Sequence, residues 1–191
     1  MPDNFTSYIQ QFQKGNHLIF EKIYQELSPK MFTVCLRYAS DKDEAKDILQ
    51  DGFIKIYHQL KSFRHDGSFE GWAKKIMVNT ALEYFRTKTK WQNIPLQDCE
   101  NGFDIENDND ILSDLSFQEM LLLVQDLPPT YRLVFNLYAF EGMKHREIAQ
   151  ELGITEGTSK SNLYDARRIL QKKLSIHGMT KSINSWKKLN Y

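Results

Sequence analysis

His145–Lys173, HREIAQELGITEGTSKSNLYDARRILQKK, is the stretch whose reading decides the fold. It predicts a helix, a tight turn at Gly153, and a second helix bearing Lys160, Arg167, Arg168, Lys172 and Lys173. Ile148, Ala149, Leu152 and Ile154 fall on the inward side, and the small Ala149 lets the two helices approach closely. Gly153 follows the first helix where left-handed backbone is cheapest, and Thr155 is placed to cap the second. Such a helix-turn-helix holds its second helix against DNA. Thr158 to Asp165 would enter the major groove, with Lys160, Ser161, Asn162 and Tyr164 in reach of base edges or backbone. Arg167, Arg168 and Lys172 lie farther from the tip and suit phosphates. A plainer reading, a solvated basic helix in a protein-binding domain, explains the charge but not the turn and the caps.

Working outward, the helical pattern resumes upstream. Pro128 and Pro129 separate a helix at Phe117–Leu127 from another running to about Phe140, with Pro129 suited to its first turn. From Trp91 to Asp114 the pattern is lost, and Asn, Asp and Glu crowd a stretch interrupted by Pro95. This predicts a flexible linker of about 25 residues that cannot bury enough apolar surface to fold alone. Before it, Phe5–Phe12 reads as a short lead helix. Leu18, Ile19, Ile23, Tyr24 and Leu27 begin an amphipathic pattern that continues after Pro29, where a bend or break is expected near Ser28. Asp41 followed by Glu44 has capping-box spacing and opens a helix whose core stripe is Ala45, Ile48, Leu49, Phe53, Ile56, Tyr57 and Leu60. The string RHDGS ends that pattern, and another helix runs from about Ser68 to Lys88. No segment reads as a strand. The expected fold is all-α: two small helical domains, 1–90 and 116–174, joined by a flexible acidic linker at 91–115 and followed by a basic tail at 175–191.

The formal net charge of zero hides segregation. Residues 1–90 carry a net +3, Trp91–Tyr131 hold nine acids and no Lys or Arg, and residues 132–191 carry a net +6. Two basic ends around an acidic middle favour anionic partners at both ends. Cys35 and Cys99 have no metal-ligand neighbours at short spacing and read as free thiols in a reducing compartment. No run of eighteen apolar residues and no basic-then-apolar start is present, so a cytoplasmic protein without membrane insertion is expected.

Two surfaces of the N-terminal part carry information. At about 100° per residue, Trp72, Lys75, Asn79 and Arg86 share one stripe roughly 60° wide, apart from a core face of Phe69, Ala73, Ile76, Thr80 and Tyr84. A Trp beside cations and an amide suits single-stranded DNA, and the Arg64–Ser68 loop could accept a displaced base. A Trp in an ordinary helix-helix contact explains the same residue equally simply. On the preceding helix Asp43, Asp47, Gln50 and Asp51 lie opposite the core stripe, with Ile54 and Lys55 one turn on. An acidic patch suits a basic protein partner, with Ile54 adding apolar contact.

Four strings together, DEAKDILQDGFIKIYHQLKSF, SFEGWAKKIMVNTALEYFR, LPPTYRLVFNLYAFEGMKHREIAQELGITEGTSKS and the Ala166-Arg167 step, resemble bacterial RNA polymerase sigma factors of the extracytoplasmic-function subgroup. The resemblance covers about residues 15–90, called region 2, and 115–174, called region 4; the family's larger regions 1.1 and 3 have no room here. It implies that Asp47, Gln50, Asp51 and Ile54 meet a coiled coil on core polymerase. It implies that the Phe63–Ser68 loop (with Phe63, Arg64, His65 and Ser68) and the Trp72, Lys75, Asn79 and Arg86 stripe recognise and open the −10 promoter element. Thr158, Lys160, Ser161, Asn162, Tyr164, Asp165, Arg167 and Arg168 would serve the −35 element. Core RNA polymerase, duplex and melted promoter DNA and an anti-sigma factor are the implied partners, with no cofactor. Two departures stand out: Ser159 replaces a usual aliphatic residue, and Asn162 and Asp165 replace residues that are often basic. Asp165 could accept from a cytosine amino group or orient a neighbouring Arg.

A linker of about 25 residues spans at most about 85 Å and averages about 28 Å as a coil. It reaches across two turns of DNA without fixing that distance, so a rigid third body must do so. The acids Asp104, Glu106, Asp108 and Asp110 could also lie in a basic channel built for RNA. The rival reading is a stand-alone helix-turn-helix regulator with an N-terminal sensing or dimerisation domain. An enzyme is not expected. Asp104-x-Glu106-x-Asp108 lacks the turn Gly and closing Glu of a calcium loop. His17, His58, His65, His145 and His177 have no ligand or triad spacing, and no P-loop or dinucleotide fingerprint occurs.

Overall fold

A computed structural model describes residues 4–92 and 115–176, all helix, turn or irregular backbone with no strand among them. The linker between, the C-terminal tail and Cys99 lie outside the described residues. The chain divides into two compact units, Met1–Ile94 and Pro95–Tyr191.

The first unit comprises α1 (Asn4–Gln13), α2 (Phe20–Tyr38), α3 (Lys42–Gln59) and α4 (Phe69–Gln92), with single 3-10 turns at His17–Ile19 and Leu60–Ser62. Helices α2, α3 and α4 pack on one another, and α1 covers the end near Leu60. Ile23, Leu27, Ile48, Ile56, Leu60, Phe69, Met77 and Leu82 are fully buried between them, with Ile9 and Phe12 contributed by α1. Their three- and four-residue spacings supply one apolar side per helix. Gly52 lets Met77 of α4 lie against α3: a Cβ there would overlap the Met77 thioether.

The cap of α3 forms as its spacing predicts. Asp41 is extended and its carboxylate accepts from Glu44 N at 2.7 Å. The reciprocal arm differs: the Glu44 carboxylate accepts from Ser40 N at 3.0 Å, and Lys88 of α4 donates to it at 3.2 Å. One side chain thus closes the start of α3 and ties it to the far end of α4. Ser68 opens α4, its hydroxyl accepting from Gly71 N at 3.1 Å.

Three expectations need correction. The break near Ser28 does not occur, and α2 runs through Pro29. Pro29 is exposed, and burial of Leu27 before it and Met31, Val34 and Cys35 after it keeps both sides of it helical. Leu18, Tyr24 and Tyr57 are not core residues, being 86%, 42% and 37% exposed. Helix α4 also continues to Gln92, and its burial is broader than one stripe, taking in Met77, Val78, Ala81 and Leu82. Cys35 is wholly buried, which pushes its thiol up to about 12 and keeps it protonated and unreactive.

The second unit comprises α5 (Leu115–Gln125), α6 (Pro129–Ala139), α7 (His145–Leu152) and α8 (Glu156–Ile176). Helix α8 is central, packing on α5, α6 and α7. Its inward residues Leu163, Ala166, Leu170 and Leu174 meet a core that includes Leu133, Val134, Phe135, Leu137 and Ile148. The buried Arg132 of α6 donates to Gln125 O at 2.6 Å, and Lys173 of α8 pairs with Asp126, so the end of α5 is held from two sides. Pro129 sits in the first turn of α6. Gly153 ends α7 at φ +67°, and Thr155 Oγ1 accepts from Thr158 N at 3.0 Å to start α8. The turn and both its capping residues are as the sequence implies. Among the described residues no helix is long and apolar enough to cross a membrane.

Candidate nucleic-acid and polymerase interfaces

Helix α3 turns Asp43, Asp47, Gln50, Asp51 and Ile54 outward, Ile54 being 49% exposed. Asp43 takes a hydrogen bond from Lys46 at 2.8 Å, which holds its carboxyl below the usual range. Lys55 is drawn away to Glu83 of α4 at 2.5 Å. What remains on the surface is a strip of carboxylates and an amide ending in an aliphatic residue, which suits a cationic protein surface with an apolar spot.

The loop after Leu60 is built on aromatic rings. Phe63 is buried at 9% exposure against Phe69, Trp72 and His65, at centroid distances of 5.5, 5.1 and 4.9 Å. Trp72 also stacks on Phe69 at 5.6 Å and is half-buried. This corrects the expectation for Phe63, whose ring supports the loop and is not offered to DNA. It also restricts Trp72, whose neighbours on the protein side are already rings. Arg64, His65, Asp66, Gly67 and Ser68 are exposed, and His65 has φ +58°, a left-handed backbone that costs a residue with a Cβ about 1 kcal/mol. Gln13 of α1 donates to Phe63 O at 3.2 Å, and Phe5 of α1 packs on Phe69 at 5.2 Å. The sequence did not mark these two supports; their signal is only that an apolar lead helix must cover something. On α4, Lys75, Asn79 and Arg86 are exposed, as their shared stripe requires.

On α8, Thr158, Lys160, Ser161, Tyr164 and Arg168 are exposed, Tyr164 by 68%. Asp165 and Arg167 are half-buried. Asn162 is turned inward at 9% exposure, because positions 159, 162, 163 and 166 share the packed side of the helix. It therefore leaves the set of side chains that reach a base edge. Lys160 pairs with Glu156 at 2.7 Å and Arg168 with Asp165 at 3.4 Å. In the free chain Asp165 therefore lies beside a neighbouring Arg. Exposed pairs of this kind contribute little and exchange readily for phosphate. The Lys160 contact holds the Glu156 carboxyl below its ordinary range.

Ser159 is fully buried, and its hydroxyl lies 3.0 Å from His145 Nδ1 on α7. The His145 ring stacks on Tyr138 of α6 at 5.0 Å, and the Arg167 guanidinium lies 5.3 Å from the same Tyr138 ring. Burial, then Lys160, hold the imidazole below its ordinary range, with Arg167 adding to them and Glu156 opposing. The polar substitution at 159 thus has a partner, which the fourteen-residue separation did not disclose.

The two units correspond to two matched segments. Residues 23–90 match Sigma-70 region 2, and residues 117–170 match Sigma-70, region 4. The chain is 27% identical to the RNA polymerase sigma-H factor of Pseudomonas aeruginosa over 177 residues, covering 87% of this chain and 91% of that protein. It is 28% identical over 176 residues to the ECF RNA polymerase sigma-E factor of Escherichia coli K12, covering 87% and 92%. In fold it is similar to the sigma factor RpoE of Bartonella quintana, solved with the anti-sigma factor NepR, at TM-score 0.52 and 22% identity over 82% of this chain and 97% of that one. The protein belongs to the sigma-70 family of RNA polymerase sigma factors, in the extracytoplasmic-function subgroup. It is an alternative sigma factor, a DNA-binding partner of core RNA polymerase in transcription initiation. The reading as a stand-alone regulator is not favoured, because region 2 occupies the part it assigned to sensing or dimerisation.

Proposed function

We propose that the surfaces divide the work of promoter selection. Asp47, Gln50, Asp51 and Ile54 dock on core polymerase; the Arg64–Ser68 loop with Trp72, Lys75, Asn79 and Arg86 takes the opened −10 strand. Thr158, Lys160, Ser161 and Tyr164 read the −35 duplex while Arg167 and Arg168 hold its backbone. The observation that carries this reading is the separation of charge by surface: acids and Ile54 outward on α3, amide and cations outward on α4, cations and hydroxyls outward on α8. Acids repel phosphate and attract a basic protein, whereas the other two surfaces do the reverse. Loop 64–68 supports strand capture, because a strained, exposed turn over a rigid aromatic floor suits an unstacked base. The protein takes no catalytic role of its own; synthesis belongs to the polymerase. It acts in the cytoplasm, where polymerase and chromosome are. An anti-sigma protein is a fitting regulator, since the same surfaces can be masked by a partner with matching charge.

Reconstitution with core polymerase and run-off transcription on genomic fragments tests the division. Asp47→Arg is expected to abolish transcription through loss of core binding, measured by co-elution. Lys160→Ala is expected to keep core binding and lose promoter choice. Core binding by Asp47→Arg at the wild-type level would contradict the assignment of α3.

A further inference from the structure

We propose that His145 and Ser159 form a positioning pair that sets the pose of α8 on the −35 duplex, an inference that rests on α8 being the −35 reader. Ser159 is fully buried, yet its sequence neighbours Thr158 and Lys160 are exposed at the reading surface. Whatever fixes the roll of α8 at 159 therefore fixes where those two side chains aim. An aliphatic side chain at that position would pack without preferred direction, since the hydrophobic effect is non-directional. A buried hydroxyl must find its partner in one direction and at one distance, here 3.0 Å from His145 Nδ1.

The contact continues beyond one bond. The His145 ring stacks on Tyr138, and Arg167 lies over that same ring, returning the path to α8 eight residues after Ser159. Eight residues are about 12 Å of helix, so α8 is held at two points roughly two turns apart. One point sets roll; two also set tilt. The path Ser159–His145–Tyr138–Arg167 joins α6, α7 and α8, and Arg167 is itself one of the residues proposed to hold phosphate. His145 and Ser159 act through the side chains they aim.

The test uses full-length chain in holoenzyme with core polymerase, and a promoter taken from genomic fragments by the wild-type holoenzyme. The same promoter with its −35 segment scrambled is the comparison, and the readout is the ratio of run-off transcript between the two. Ser159→Ala and His145→Phe, which lose the bond while His145→Phe keeps a ring on Tyr138, are expected to lower the ratio about fivefold to tenfold. His145→Asn, whose amide can stand near the Nδ1 position, is expected to stay within about twofold of wild type. The double variant His145→Phe/Ser159→Ala leaves no buried polar group unpaired, so its thermal midpoint is expected to recover toward wild type while the ratio stays low. That split separates positioning from mere stability. Wild-type discrimination in Ser159→Ala, or a ratio restored in the double variant, overturns the pair's role alone. A wild-type holoenzyme indifferent to the scramble overturns the −35 reading of α8 and the pair with it.

Discussion

Because burial and the cations Lys160 and Arg167 hold the His145 imidazole below its ordinary range, its proton uptake opposes folding of the second unit. The folded pKa lies below the unfolded one, so the stabilisation is fully present above the unfolded value of about 6.5 and is lost as pH falls through the folded value. Amide exchange in α7 and α8 is expected to quicken as pH drops from about 7.5 to 5.5, after correction for intrinsic exchange rates. The difference should shrink in His145→Asn; an unchanged pH response there would remove His145 as its source. Ser159 stands out in the sequence but its partner does not, because a hydrogen bond between helices depends on their packing and not on spacing along the chain. Asn162 is the opposite case. Its position places it beside 159, 163 and 166 on the packed side, and that periodicity outweighs its polarity.

Helix ends were legible wherever their chemistry is local. The Asp41 carboxylate on Glu44 N, Thr155 on Thr158 N and left-handed Gly153 are each fixed by residues within four positions. Asp41→Ala is expected to lower the stability of the first unit by about 1 kcal/mol in a denaturant titration, with the m-value unchanged. At Pro29 the local preference for a break is opposed by packing on both sides. The proline removes one helical hydrogen bond within α2 while Leu27 and Met31 stay buried. Pro29→Ala is therefore expected to stabilise the unit by about 1–3 kcal/mol, read as an upward shift of the denaturant midpoint. A destabilised variant would show that the chain needs the distortion Pro29 imposes. The aromatic floor under the 64–68 loop was legible only in part. Trp72 and Phe69 could be placed on α4 from periodicity, whereas Phe63, Phe5 and Gln13 come from other elements and meet only after folding.

For the whole molecule, the zero net charge describes neither unit: the N-terminal 90 residues carry +3, and the segment from residue 132 onward +6. Binding of the isolated chain to duplex DNA is expected to be weak and to fall steeply with added salt, since it draws on phosphate contacts alone. Sequence preference is expected only once core polymerase holds both units. The all-α character, the two units and the helix-turn-helix of α7 and α8 were legible, because helical periodicity and turn chemistry are written locally. The most direct test is binding of a promoter fragment and its scrambled counterpart by the purified chain, alone and with core polymerase, at physiological salt. The account predicts little binding and no preference for the chain alone, and strong discrimination once polymerase is added. Tight, sequence-specific binding by the chain alone, unaltered by polymerase, would contradict it.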